Sequence, residues 1–325
     1  TGSDLFISHY NNQYDPLYGF LRQYALSADH RWLELADDLA RHVCDIDIYH
    51  TIYDKEEYNG GLFWHTDHYL EAETSTHRSY SRHQKKDAYA DHAGGGGPGG
   101  QHCYTTGLLY HYLMTGNEAS SDALFQLTEW VSHVYEYDRS GSIFDVLLAV
   151  MNRHRIDLKN ALTQRYPLDR GTANYINALL DCYELTLERG TLKRVEHVIR
   201  NTVHPCDNLE QRALGNVETC WFYTVFLQSV CRYLQIKQIA AELDDDFYYA
   251  RDALLHYADW MAINEHPYLE NPDILEFPNS TWTAQDLRKV NVLYLADYYS
   301  PGDSYKYIEK ADEIYDFITS SLSND

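Results

Sequence analysis

The densest group of side chains able to do chemistry lies between residues 64 and 104. An imidazole can accept or release a proton near neutral pH, a phenol can donate one, and a guanidinium can neutralise a carboxylate. This combination predicts acid–base catalysis. The candidate catalytic residues are His65, His68, His77, Arg78, His102 and Tyr104.

The same histidines could instead bind a metal ion. If the segment around them is helical, His65 and His68 share one face, with Tyr69 beside them. Zinc would then be held by His65, His68 and His102, and calcium is a further option. The segment lacks an H-E-x-x-H motif, however, and acid–base catalysis requires no cofactor. A third interpretation leaves these histidines as hydrogen-bonding groups of a polar loop.

A long insertion, about residues 45–101, carries most of these side chains and also contains Trp64. Loops of this length in a compact chain are usually functional or disordered, and the abundance of Trp, His and Tyr favours a functional loop. The glycine run at 94–97 lacks the G-K-[ST] ending of a phosphate-binding loop. We therefore interpret it as a flexible loop or lid.

Further polar, aromatic segments precede helical stretches later in the chain. Arg165 and Arg170 flank Tyr166 and could bind a carboxylate, although a local Arg–Asp pair at a helix entry explains them equally well. The regular placement of these segments predicts that they line a shared cleft. The candidate substrate-binding residues are Trp64, Tyr69, Tyr166, Arg170, Glu218, Trp221 and Trp282.

The elements that must position these residues are helices. Apolar residues recur at helical spacing in paired stretches separated by short polar turns, whereas strand-like alternation is scarce. This pattern predicts an all-α chain in one domain, 1–325, closed wholly or partly into an (α/α) toroid of about five to six helical hairpins. The predicted hairpins are 17–43, 104–135, 174–203 hinged at Gly190, 221–236 with 246–263, and 286–299 with 304–322; a weaker helical patch is 143–154.

Composition excludes several classes of partner. The 26 basic and 49 acidic residues give a formal net charge of -23, which repels nucleic acid and anionic membranes. No apolar run reaches the roughly 18 residues of a membrane span. The six cysteines are scattered without a C-x-x-C pair, so no disulfide framework is predicted. Nothing in the composition fixes the oligomeric state.

The hairpin rhythm, the turn at Leu113-Met114-Thr115-Gly116-Asn117 and the loops rich in His, Tyr and Trp resemble (α/α)-toroid carbohydrate-active enzymes. These include polysaccharide lyases and six-hairpin glycosidases. The resemblance implies a poly- or oligosaccharide held over aromatic platforms, and a periplasmic or secreted location, since enzymes that cleave polysaccharides are commonly exported. A lyase acting on uronates would need an Arg, Asn or His to neutralise the carboxylate, a base and an acid. The wealth of His, Tyr and Arg in the loops favours this lyase.

Two alternatives stay open. A glycoside hydrolase would need two opposed carboxylates, and no spacing selects a pair. Its candidates are Asp67, Glu71, Glu73, Asp207, Glu218, Glu276 and Asp286. Glu218-Thr219-Cys220 is similar to a zinc-ligand segment of cysteine-dependent arabinofuranosidases, but only Cys231 follows it here.

The second alternative is a non-catalytic helical-repeat module that binds a glycan or a protein. It predicts histidines dispersed over the surface. An enzyme instead predicts that His65 or His68, His102, Tyr104 and Arg170 line one cavity.

Overall fold

A computed structural model describes residues 6–10, 12–53, 59–63, 65–69, 100–136, 159–160, 163–302 and 305–322. Ten long helices account for most of these residues. They are α1 Pro16–Ser27, α2 His30–His42, α3 Thr106–Thr115, α4 Glu118–Glu136, α5 Arg170–Thr186, α6 Arg189–Arg200, α7 Tyr223–Ile239, α8 Asp245–Asn264, α9 Thr281–Tyr299 and α10 Tyr305–Leu322.

Consecutive helices pack together as α1 with α2, α3 with α4, α7 with α8 and α9 with α10, which confirms the all-α class and the hairpin repeat. Local signals set their ends. Asp15 and Asp29 cap the first turns of α1 and α2 by accepting hydrogen bonds from backbone amides. Gly116 ends α3 in the left-handed region, at φ 73°. The patch at 143–154 lies outside the described residues, and closure of the hairpins into a ring stays a prediction.

The turn of the third hairpin differs from the prediction. Gly190 was expected to form the hinge, but it lies in the first turn of α6. The chain instead turns at Leu187 and Glu188, where Leu187 has a φ of 55° and its amide donates to Tyr183 O at 2.7 Å. The left-handed residue that closes α5 is therefore a leucine, which a search for glycine cannot find.

Residues 65–69 correct a second expectation. They form strand β2, His65–Tyr69, which pairs antiparallel with β1, Phe6–Tyr10. In a strand, residues two apart share a face, whereas residues three apart do not. His65 and His68 therefore do not share the face of a helix, and that prediction is wrong.

The chain divides into two compact units, which we describe separately. Unit 1 comprises residues 1–161 and 174–192, and unit 2 comprises residues 162–173 and 193–325. The prediction of one domain over 1–325 is not tested by this division and stays a prediction. Unit 1 has a core of leucine, alanine and valine from α1 to α4, and unit 2 has an aromatic-rich core from α7 to α10.

Two further findings concern the cysteines and the apolar character of the helices. All six cysteines are free thiols, and Cys103, Cys182 and Cys231 are buried. Burial raises the pKa of the Cys103 and Cys231 thiols far above the ordinary value. Among the described helices, none combines the length and the apolar character that a membrane span requires.

Candidate functional site

Two of the predicted catalytic residues meet in unit 1. A single 3-10 turn, Gly100–His102, comes just before α3 and presents His102, while Tyr104 follows two residues later. The Tyr104 hydroxyl lies 3.3 Å from His102 Nδ1. His102 is buried and Tyr104 is half-buried, so the phenol forms the accessible side of the pair.

Tyr14 adds a third ring that the sequence did not indicate. Its ring centroid lies 6.2 Å from that of His102 and 6.3 Å from that of Tyr104. Tyr14 and Asp15 both have positive φ, at 63° and 57°. A non-glycine residue in this region costs about 1–3 kcal/mol, and such strain clusters at functional sites.

One carboxylate fixes the position of this strained turn. Asp15 Oδ1 accepts a hydrogen bond from the Tyr18 amide at 3.2 Å, and Oδ2 accepts one from the Gly107 amide at 2.9 Å. Both amides belong to first turns of helices, α1 and α3, where backbone N–H groups lack partners and favour negative charge. A Cβ at residue 107 would lie 2.3 Å from Asp15 Oδ1, so this approach requires glycine.

Side chains of α5 hold the His102–Tyr104 segment from the other side. Asp181 Oδ2 accepts hydrogen bonds from the hydroxyls of Thr105 at 2.6 Å and Thr106 at 3.1 Å. Asn174 donates to the carbonyl of Gln101 at 3.0 Å. The backbone that carries the His–Tyr pair is thus fixed by buried polar contacts, as a preorganised site requires.

Four of the predicted substrate-binding residues lie together in unit 2. The rings of Trp221 and Trp282 contact edge to face at 6.2 Å, and the Arg170 guanidinium lies 5.7 Å from the Trp221 ring centroid. Glu218, on the one-turn helix before Trp221, accepts a hydrogen bond from the Glu276 amide at 2.6 Å. The starts of α5 and α9 and the segment ahead of α7 therefore come together within this unit, and the shared cleft stays a prediction.

A buried lysine underlies this aromatic group. Lys289 Nζ, fully buried, lies 2.8 Å from Glu265 Oε2, 2.9 Å from Asp286 Oδ1 and 2.7 Å from the His266 carbonyl oxygen. It also lies 3.2 Å from the centroid of the Tyr268 ring, which packs against Trp282. This network could not be predicted from the sequence, because a lysine in a helix is ordinarily exposed.

Burial shifts the ionisation of the groups around Lys289. Desolvation raises the pKa of Asp286, although the ammonium of Lys289 opposes the shift. Tyr223 donates a hydrogen bond to Glu265, and burial together with that carboxylate raises the pKa of Tyr223 well above its ordinary value. Ion pairs and hydrogen bonds among these groups connect α9 to the loop at 265–280.

Other predicted residues do not join these groups. Tyr166 is buried, its amide donates to Asn201 O at 3.0 Å, and its ring packs on His197 at 6.2 Å, so it has a packing role. His65, His68 and Tyr69 lie in β2, where the structure describes the backbone only. Three of the predicted site residues lie outside the described part of the chain: Trp64, His77 and Arg78.

The predicted zinc site, which used His65, His68 and His102, is therefore not tested. Among the described residues, one group of acidic side chains has metal-like spacing: Glu196, Asp244 and Asp246. Lys237 already lies within it, with Nζ 3.1 Å from Glu196 and 2.6 Å from Asp244. The ammonium occupies the place that a cation would take.

A hydrogen-bonded chain of Asp37, His111 and Ser120 has the residue types of a nucleophilic triad. His111 Nε2 lies 2.8 Å from Asp37 Oδ1, and Nδ1 lies 2.8 Å from Ser120 Oγ. The burial is opposite to that of a catalytic triad, because the serine is fully buried while the aspartate is partly exposed. The chain therefore links α2, α3 and α4 and offers no nucleophile.

Comparison with known proteins gives little beyond these observations. No protein-family model matches the chain, and no curated protein matches it. Among solved structures, the chain is similar to cellobiose 2-epimerase from Bacillus thermoamylovorans, with a TM-score of 0.46 and 10% sequence identity. The match covers 98% of this chain and 78% of that one. A likeness this weak carries no argument about activity.

Proposed function

We propose that this chain is a glycan-cleaving enzyme that acts on uronate-containing polysaccharide by β-elimination. The observation that carries the proposal is the His102–Tyr104 pair, held at 3.3 Å in a preorganised polar setting. A base and an acid in contact are what this reaction needs, since it removes a proton from C5 and protonates the leaving oxygen at C4.

The pair can carry out both proton transfers and return to its starting charges. With a hydrogen on Nδ1 facing the Tyr104 oxygen, His102 Nε2 is the acceptor for the C5 proton. The C5–H and C4–O bonds break, a C4–C5 double bond forms, and Tyr104 gives its proton to the leaving oxygen. The Nδ1 proton of the imidazolium then moves to the tyrosinate, which leaves the ring hydrogen on Nε2. Exchange of that hydrogen with water restores the starting tautomer. The substrate carboxylate would be neutralised by Arg78 or a histidine, as the sequence predicted.

The aromatic group of unit 2 supplies the surfaces that a sugar-binding protein needs. Trp221 and Trp282 offer apolar faces, and Arg170 and Glu218 add polar groups beside them. In the proposed function these residues bind sugar rings, and none of them takes part in proton transfer.

The hydrolase alternative has weaker support, because three of its candidate carboxylates already have structural partners. Asp207 accepts hydrogen bonds from Tyr257 and Arg212, both at 2.7 Å. Asp286 pairs with Lys289, and Glu218 accepts from the backbone of residue 276. Asp67 lies in β2, while Glu71 and Glu73 lie outside the described residues.

The test is cleavage of a panel of uronate-containing polysaccharides, followed by the ultraviolet absorbance of unsaturated uronates and by reducing-end release. We expect absorbance to grow with the wild type and to be lost in His102→Ala and Tyr104→Phe, but to persist in Tyr248→Phe, a tyrosine exposed on α8.

The other possible outcomes of this test would favour a different function or a different set of catalytic residues. Reducing ends without absorbance would replace the lyase with the hydrolase. Binding without any cleavage would favour the non-catalytic module. Unchanged absorbance in His102→Ala would remove the pair from the mechanism.

A further inference from the structure

An open cleft in unit 1 has no role in the proposed reaction. Its volume is about 680 Å³, and it lies between the turn at 49–53 and α4. Sites for small ligands commonly measure about 300–1,000 Å³. Neither His102 nor Tyr104 lines the cleft, and no residue of the predicted site was placed there.

Trp130, Tyr49 and Tyr53 are the aromatic tryptophan and tyrosine side chains among its lining residues. Trp130 contributes one wall from α4 and is only 6% exposed, and Tyr49 beside it is similarly buried. Tyr53 also lines the cleft and is 73% exposed. An exposed phenol opposite buried rings offers flat apolar faces to a ligand and a hydroxyl at the edge.

Hydrogen-bond donors and hydrogen-bond acceptors complete the lining. His50 Nε2 lies 2.6 Å from the Cys44 carbonyl oxygen. Because a carbonyl can only accept, this nitrogen carries the hydrogen, and Nδ1 of the neutral ring is an acceptor. The amide of Gln126 offers a donor and an acceptor, and Asn59 is a second amide of the lining.

Two further polar side chains, Glu129 and His133, lie one turn apart on α4 and share a face. No hydrogen bond or ion pair ties either of them to another group, as far as the described residues show. They are therefore available to a ligand. Glu129 is the carboxylate among the described lining residues, and that lining contains no lysine or arginine.

We propose that this cleft binds a short neutral oligosaccharide, at a site separate from the His102–Tyr104 pair. Sugar hydroxyls both donate and accept hydrogen bonds, which matches the amides and the oriented imidazole, and the aromatic rings match the apolar faces of pyranose rings. Glu129 disfavours an anionic ligand, since a uronate carboxylate would be placed near a like charge. The inference goes beyond the proposed cleavage and does not depend on it.

The test is isothermal titration of the full chain with cellotetraose, xylotetraose and tetragalacturonate. We expect binding of at least one neutral tetrasaccharide and weaker binding of tetragalacturonate at this cleft. Tyr53→Ala should weaken neutral binding about three- to tenfold by removing one aromatic contact. The matched control is Tyr305→Ala, which removes a tyrosine of similar exposure, 70%, from α10.

Two variants separate the cleft from the proposed active site. His102→Ala should leave neutral binding unchanged, and Glu129→Gln should strengthen the binding of tetragalacturonate while leaving neutral binding within about twofold. The proposal is overturned if neither neutral tetrasaccharide binds, if Tyr53→Ala binds like the control, or if His102→Ala abolishes the binding.

Discussion

The two groups of candidate site residues, one in unit 1 and one in unit 2, are held in place by different kinds of interaction. In unit 1, the start of α3 and the segment before it are held by hydrogen bonds that Asp15 and Asp181 accept and that Asn174 donates. In unit 2, the segment before α9 lies over a buried ammonium with two carboxylate partners. The first cluster presents proton-carrying groups and the second presents aromatic rings. A repeated hairpin thus fixes where a site can form, and the loop residues decide what it does.

This contrast predicts that variants of the two clusters affect different kinetic constants. His102→Ala and Tyr104→Phe should lower kcat by about a hundred- to ten-thousandfold, the usual contribution of a general acid or base. Trp282→Ala should raise KM and leave kcat nearly unchanged, because it removes binding that the ground state and the transition state share. Steady-state kinetics on the polysaccharide found in the cleavage panel measures both constants. If Trp282→Ala lowered kcat as much as His102→Ala does, the two groups would not differ in their kinetic roles.

The second prediction concerns the source of stability in unit 2. Lys289→Met should lower the free energy of unfolding by about 3–5 kcal/mol, because it leaves Glu265 and Asp286 as buried carboxylates without their cation. Lys306→Met is the matched control, since its pair with Asp259 is half-exposed and worth at most about 1 kcal/mol. Denaturant titration measures both values. Similar losses in the two variants would contradict a special role for the buried ammonium.

The third prediction tests the close approach of helix starts in unit 1. Gly107→Ala should cost about 1–3 kcal/mol through overpacking, because the added methyl meets Asp15 Oδ1 at 2.3 Å and the Tyr18 amide nitrogen at 2.8 Å. Gly19→Ala, in the exposed interior of α1 with nothing within 4 Å, should instead stabilise by about 0.5–1 kcal/mol. Thermal unfolding of the pair should therefore shift in opposite directions. If Gly107→Ala left the thermal stability unchanged, Asp15 would have to move to accommodate the added methyl group.

The smallest predicted effect is a pH dependence in unit 1. The hydrogen bond with Asp47 raises the pKa of His42, and partial burial opposes the shift. The folded state therefore holds this proton more tightly than the unfolded chain. The resulting stability is fully present below the unfolded pKa and is lost as pH rises through the folded pKa.

We expect His42→Gln to destabilise the protein in mildly acidic solution, by under about 1 kcal/mol, and to match the wild type at higher pH. Unfolding free energies across this pH range provide the measurement. In an Asp47→Asn background the pH-dependent difference should vanish. A difference that persists there would assign the effect to another group.

The hairpins could be predicted from sequence because their signals are local. Apolar periodicity and capping residues such as Asp29 and Gly116 act within a few residues, so the predicted bounds agree with the helices to within a few positions for most elements. The His102–Tyr104 contact was also accessible, since the two residues are neighbours in the chain. The clustering of Trp221 with Trp282 followed from their similar places at the starts of α7 and α9.

The missed features depend on partners distant in sequence. Strand β2 exists through its pairing with residues 6–10, so its own sequence could be mistaken for a helix. Lys289 looks like an ordinary helical lysine until packing encloses it with Glu265. Tyr14 is brought to the histidine by a turn with two positive φ angles, for which the sequence has no glycine to signal it.

The carboxylate of Asp15 has a consequence for how unit 1 assembles. It accepts from one amide of α1 and one of α3, two helices separated by almost 80 residues of chain. The Tyr18 amide is capped by Asp15 within α1 itself, whereas the Gly107 amide has this partner only after α1 and α3 have docked, so tertiary packing completes the first turn of α3. The amide hydrogen of Gly107 should consequently exchange with solvent whenever α1 and α3 separate, whereas that of Tyr18 should stay protected as long as α1 is intact.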